Sequence, residues 1–141
     1  GCRVRQFGKH KSKLAISEAQ GIATQPVNQT PPPAAAFRYV VDATGSPAGL
    51  KTAVHMTEPR GIVILKSTMH GEVPVDTAPV IVNEITLVGS RCGRFEPAIE
   101  LLRTGAVDVK PLISERVRLA DASAGFALAR TSGVLKVLLA G

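Results

Sequence analysis

Tryptophan is missing from this 141-residue chain, tyrosine occurs once, and four phenylalanines complete the aromatic set. Any core must therefore be built mainly from branched aliphatics, as suits a parallel sheet buried on both faces. Cysteine is nearly absent too. Cys2 and Cys92 lie far apart and match no C-x-x-C spacing, which excludes a disulfide framework and suits reduced thiols in a cytoplasmic protein. A structural zinc needs about four clustered ligands, and with His10, His55 and His70 scattered beside the two cysteines no metal site can be argued from the sequence. Long apolar runs are missing as well. Asn83 and Glu84 interrupt the best candidate well short of the roughly 18 residues of a membrane span. The start is basic but no apolar core follows it, so no signal peptide is read there. Finally, no acid occurs in the first thirteen residues, which hold Arg3, Arg5, Lys9, Lys11 and Lys13. The rest of the chain is close to neutral, so the net charge of +6 is a local patch. Nucleic-acid binding needs stacking aromatics or a recognition helix beside such a patch, and only Phe7 is near. Neither nucleic acid nor membrane is an expected partner.

What is present is an alternation of strands and helices. Cys2 to Phe7 reads as a strand, Gly8-Lys9-His10 as a turn, and Lys11 to Gln20 as a helix with Gly21 as its left-handed stop. Ile22 to Thr24 suggests a brief strand. Pro26, Pro31, Pro32 and Pro33 mark residues 25–36 as a linker, because proline removes backbone donors. Arg38 to Asp42 is the next strand. Ser46 then caps a helix with Pro47 at its first position that runs to about Thr57, and Pro59-Arg60-Gly61 ends it. Ile62 to Lys66 is a strand, and Val80 to Val88 reads as one interrupted strand or two short ones. Glu96 to Thr104 is a helix that turns Ile99, Leu101 and Leu102 inward, with Gly105 as its stop. Leu112 to Leu119 is a strand, Asp121 to Arg130 a helix anchored by Phe126, and Val134 to Leu139 a closing strand. The class is α/β with mostly parallel pairing.

Three of these strands end alike. Asp42-Ala43-Thr44-Gly45, Lys66-Ser67-Thr68 and Gly89-Ser90-Arg91 each follow an apolar run with small or polar residues. In an open α/β sheet, ligands bind outside the carboxyl ends of strands, where these turns lie. Yet no G-x-G-x-x-G occurs anywhere in the chain.

From Phe37 to Leu139 the sequence resembles the C-terminal half of the zinc-type medium-chain alcohol dehydrogenases. Asp42-Ala43-Thr44-Gly45 is similar to the turn after that family's fourth strand, and Ile64 to Thr68 to the end of its fifth. Asn83 to Arg91 is similar to the sixth strand, Gly133 to Val137 to the closing strand, and residues 1–24 to the second strand and its helix. The resemblance implies an incomplete Rossmann-like, mostly parallel sheet with helices on both faces, lacking the first strand and its glycine-rich turn. It places a partial dinucleotide-binding domain at 1–106 and, at 107–141, a segment that in the family returns to the catalytic domain. The implied parent reaction is hydride transfer between an alcohol or polyol and NAD(P), with zinc held by residues that have no counterpart here. The chain alone is not expected to be a competent dehydrogenase. The alternative is a non-catalytic remnant or association module that forms a homodimer through the sixth-strand region, Val80 to Val88.

The resemblance also implies contacts. The family carries an acid at the position of Gly8, where it binds both ribose hydroxyls of NAD. Glycine there, beside Lys9, His10 and Lys11, favours NADP over NAD; the bland alternative is a solvated basic turn. Thr44 and Gly45 approach the cofactor through small side chains and exposed backbone, or serve only as a turn feeding a helix. Leu65, Lys66 and Ser67 line the nicotinamide side, although Leu65 equally suits a core. Ser90 and Arg91 follow the sixth strand, where family carbonyls hold the carboxamide. Lys136 matches a basic residue that reaches the pyrophosphate, or is a solubilising lysine on an edge strand. His70 is read as a solvated loop residue and Cys92 as a buried thiol, and neither enters a mechanism.

Overall fold

The structure is a computed structural model that describes residues 2–69 and 71–141. The chain forms two compact units, one of residues 27–92 and one made of the chain through Pro26 together with Gly93–Gly141. In chain order the elements are β1 (Arg5–Gly8), α1 (Lys11–Ala19), β2 (Ala23–Pro26), β3 (Phe37–Asp42), α2 (Pro47–Met56), β4 (Thr57–Leu65) and α3 (Ala78–Val82). They continue with β5 (Thr86–Gly89), α4 (Phe95–Arg103), β6 (Ile113–Arg118), α5 (Ala122–Ala129) and β7 (Lys136–Ala140). The class is mixed α/β and every strand pairing is parallel. The hydrogen bonding divides among three sheets, β1-β2, β3-β4-β5 and β6-β7.

The central unit is built on the β3-β4-β5 sheet. Alternation along β3 turns Val40 and Asp42 inward and leaves Tyr39 and Val41 exposed. Val40, Val63 and Leu87 stand side by side in register, and Val63 at the centre is 0% exposed. Burying such a valine stabilises the fold by about 1.5–3 kcal/mol. Helix α2 covers this side with Leu50, Ala53 and Val54, the last two three and four residues after the first and so on a single helical face. Its start is as the sequence implies: Ser46 is extended, Pro47 opens the first turn, and the Ser46 hydroxyl accepts from the Gly49 N–H at 3.1 Å. At its end the Thr57 hydroxyl, itself buried, donates to the Ala53 carbonyl at 2.7 Å.

Two expectations fail in this unit. Helix α2 ends at Met56, at the expected place near Thr57, but Pro59-Arg60-Gly61 is not its stop, because β4 already begins at Thr57, pairing it with Phe37 before a register shift. Proline fits because β4 is irregular there, with Arg60 at φ 63°. The run Val80 to Val88 is not two strands. Its first part is the single helical turn α3, because Pro79 sits in the first turn and the Asp76 carboxylate accepts from the Ala78 N–H at 3.0 Å. Only Thr86–Gly89 is a strand, with each residue exposed at the outer position of its sheet.

In the other unit, β1 starts at Arg5, not Cys2, and β2 reaches Pro26, so the linker begins at Val27. Helix α1 packs Leu14 toward β1 and closes on Gly21 at φ 76°, where the N–H groups of Gly21 and Ile22 bond to the carbonyls of Glu18 and Ser17. Helix α5 lies on the β6-β7 pair. Its buried residue is Gly125, where a Cβ would come within 2.9 Å of Leu139 Cδ2. Phe126, expected to be the anchor, is 68% exposed, because each helical residue turns about 100° from its neighbour and Gly125 takes the inward position. Likewise Ile99, Leu101 and Leu102 of α4 are exposed, not inward. An amphipathic pattern names the apolar face of a helix but not what covers it.

Candidate functional site

The carboxyl ends of β3, β4 and β5 are tied into one lip. Beyond the regular ladder, the Lys66 N–H donates to the Asp42 carbonyl at 2.9 Å and the Ser90 N–H to the Leu65 carbonyl at 3.0 Å. These bonds carry the parallel pairing past the strand ends and bring Lys66, Ser67, Ser90 and Arg91 around one open cleft of about 570 Å³. Among the described residues two cations and no acid line it. The Lys66 ammonium lies 3.5 Å from the Ser90 carbonyl, a long contact that leaves its charge largely toward solvent.

The Thr44–Gly45 turn adjoins that cleft. Gly45 is left-handed at φ 65°, and a Cβ there would stand 3.9 Å from Ser67 Cβ. Asp42, only 3% exposed, organises the turn: its Oδ1 accepts from the Thr44 N–H at 2.9 Å and the Thr44 hydroxyl at 2.7 Å. The Thr44 hydroxyl in turn lies 3.3 Å from both the N–H and the hydroxyl of Ser46. Thr44 therefore spends its side chain on the turn itself. Gly49 is required for this arrangement, since a Cβ there would lie 1.7 Å from Thr44 Oγ1. Sequence reading named Asp42 only as part of a motif and passed over Gly49. The available signal was the spacing Asp-x-Thr-x-Ser, which places polar side chains where they cap backbone two residues on.

The central unit thus brings together Thr44, Gly45, Leu65, Lys66, Ser90 and Arg91. Leu65 is half-buried, compatible with a wall of the cleft. Cys92 lines the same cleft and is exposed, not a buried thiol, because it follows the strand in an open segment. His70 lies outside the described residues.

In the other unit, Gly8 ends β1 beside Pro26 of β2, and Lys9 and His10 form an exposed turn into α1. Neither Lys9 nor Lys11 holds an ion pair among the described residues. Gly8 has a packing role as well: a Cβ there would meet Leu14 Cδ2 at 3.0 Å. Lys136 is the exposed first residue of β7, paired with Ile113.

Residues 1–105 match the family model described as "Zinc-binding dehydrogenase", three quarters of the chain. The chain belongs to the zinc-binding dehydrogenase family. Among relatives, D-xylulose reductase A of Aspergillus oryzae is 28% identical over 105 residues, 72% of this chain and 29% of that protein. The chain thus spans under a third of the length of the curated relatives it matches. Solved structures share the fold. One from Sinorhizobium meliloti, described as a zinc-binding dehydrogenase bound to NADP, superposes with a TM-score of 0.87 at 20% identity, covering 100% of this chain and 46% of that one. L-idonate 5-dehydrogenase from Escherichia coli gives 0.86 at 18% identity, over 100% of this chain and 43% of that one. The zinc of the family name finds no fit here: among the described residues no three of His, Cys, Asp and Glu come together as a metal-holding group. Among the described residues no helix is long and apolar enough to cross a membrane.

Proposed function

We propose that the chain is the cofactor-binding part of an NAD(P)-dependent alcohol or polyol dehydrogenase that prefers NADP. The observation that carries this reading is the lip at the carboxyl ends of β3, β4 and β5, in a chain of the zinc-binding dehydrogenase family. Bound there, the nicotinamide would supply the hydride chemistry, while the protein orients it and sets the field around it. Leu65, Ser67 and Ser90 offer the wall and the polar backbone for that ring. Lys66 and Arg91 make the cleft positive, which favours an anionic ligand. The preference for NADP is assigned to Gly8, which carries no carboxylate, and to Lys9, His10 and Lys11, none of which holds an ion pair among the described residues. Lys136 is assigned to phosphate as a point charge. Assembly is assigned to the exposed edge strand β5 of a cytoplasmic homodimer, with Leu87, Val88 and the neighbouring Ile81 and Val82 all exposed.

Gly8→Asp tests the reading, with Gly8→Ala as control, because any Cβ at this site presses on Leu14. Gly8→Ala should weaken NADPH and NADH equally. Gly8→Asp should weaken NADPH further relative to NADH by roughly ten- to hundredfold, the loss of a charge-assisted phosphate contact worth about 1.5–3 kcal/mol. Calorimetric dissociation constants for both nucleotides decide it. An unchanged ratio between the two variants would make Gly8-Lys9-His10 an ordinary solvated turn.

A further inference from the structure

We propose that Asp42 is a positioning residue for dinucleotide binding, acting through Thr44 in a space that Gly49 keeps open. The proposal rests on the dinucleotide reading above and concerns Asp42 and Gly49, to which that reading gives no role. Asp42 is a carboxylate at the end of β3, almost fully buried, with no ion-pair partner among the described residues. Such a group is costly unless hydrogen bonds compensate it. The compensation comes from its own turn, the Thr44 N–H at 2.9 Å and the Thr44 hydroxyl at 2.7 Å. The Asp42 carbonyl meanwhile accepts from Lys66 N–H, so one residue fixes both the turn and the exit of β4 toward the cleft.

The chain of contacts continues into α2. The Thr44 hydroxyl meets the Ser46 N–H and hydroxyl, and the Ser46 hydroxyl accepts from Gly49 N–H. With both Thr44 donors turned inward, what this turn offers a ligand is backbone and the flat surface of Gly45, at φ 65° beside Ser67. Recognition through backbone demands order, since a loop gives no side-chain handle that can adapt. Asp42 supplies that order before the ligand arrives. Gly49 completes the device, because any side chain there would occupy the position of the Thr44 hydroxyl.

The test is calorimetric titration of the intact protein with NADPH and NADH, for wild type, Asp42→Ala and Asp42→Asn, with thermal unfolding of each. A turn that is competent a tenth of the time weakens apparent affinity about tenfold. Asp42→Ala is expected to lose about that factor for both nucleotides alike while still unfolding cooperatively. Asp42→Asn, which keeps an acceptor oxygen, should recover most of the loss. A purely structural role would lower the melting temperature of Asp42→Ala and leave the affinities of the folded protein unchanged, and that result overturns the proposal. So does an Asn variant as weak as the Ala one. If Asp42→Ala does not fold, Thr44→Val removes only the hydroxyl and must show the same matched loss. Wild type that binds neither nucleotide would instead sink the dinucleotide reading, and this proposal with it.

Discussion

Gly49→Ala offers a test in which two physical effects predict opposite signs. Alanine is the better helix former, and in an open helical position the exchange stabilises by about 1 kcal/mol. Gly49 lies in the first turn of α2, where an added Cβ would sit 1.7 Å from Thr44 Oγ1, 2.5 Å from its Cβ and 2.7 Å from its Cγ2. Ordinary contact distances require Thr44 to retreat by about 1.5–2 Å. The contact is with the root of a short, β-branched side chain, which has no flexible end to swing away. A shift of that size breaks the 2.7 Å bond to the buried Asp42 carboxylate. Hydrogen bonds to charged groups are worth about 1.5–3 kcal/mol. Set against the propensity gain, the variant is expected to be less stable by about 0.5–2 kcal/mol. With no tryptophan and one tyrosine in the chain, far-ultraviolet circular dichroism is the probe of choice. The shift in urea midpoint at constant slope gives the free-energy difference. A neutral or stabilised Gly49→Ala protein would refute the argument and show that Thr44 can leave Asp42 at no loss.

Two further expectations concern other units of structure. Arg60 and Glu84 are both held left-handed, at φ 63° and 51°, and their side chains pair at 2.7 Å on the surface. The exposed pair contributes about 0–1 kcal/mol, whereas a left-handed non-glycine backbone costs about 1–2 kcal/mol. Glu84→Gly should therefore stay near wild-type stability, and Glu84→Val, equally without the ion pair, should fall below it by about 1–2 kcal/mol in denaturant; equal stabilities would remove the backbone argument. On α4, the Arg103 guanidinium beside Glu100 lowers the carboxyl below its ordinary value, and Glu100 raises Arg103 in return. A lowered folded-state value means that this contribution is present above the unfolded carboxylate range and fades as pH falls through the lowered value. Carboxyl resonances followed by nuclear magnetic resonance should show Glu100 titrating upward to its ordinary position in Arg103→Gln; no movement would deny the coupling.

The parts of the fold legible in the sequence were those set by local chemistry. Ser46, Pro47 and Gly45 declare a turn and a helix start within three residues, and Phe37–Asp42 alternates as a half-buried strand must. What escaped depends on partners distant in sequence or on competition between local signals. Val80-Ile81-Val82 has strand propensity, but Asp76 and Pro79 start a helical turn first. Gly125 and Gly8 look like weak points in their elements until Leu139 and Leu14 are placed against them. The candidate site followed the same division. Strand ends at Lys66 and Ser90 were visible, since small polar residues after apolar runs mark them. The roles of Asp42 and Gly49 were hidden, because a buried carboxylate and a tolerated helical glycine acquire meaning only from atoms around them.

The division into a contiguous unit of residues 27–92 and a unit assembled from segments on both sides of it has a consequence for biosynthesis. As the ribosome proceeds, residues up to Pro26 emerge ahead of residues 27–92, yet their unit stays incomplete until the segment from Gly93 onward has been made. The intervening unit, with its β3-α2-β4 crossover, has all its strands available before then. At about 5–20 residues per second, β1 and β2 wait several seconds for the segment that completes their unit. During that interval β1 and β2 have each other and α1 to pack against, so the order of synthesis, and not only the final free energy, bears on how this unit is completed.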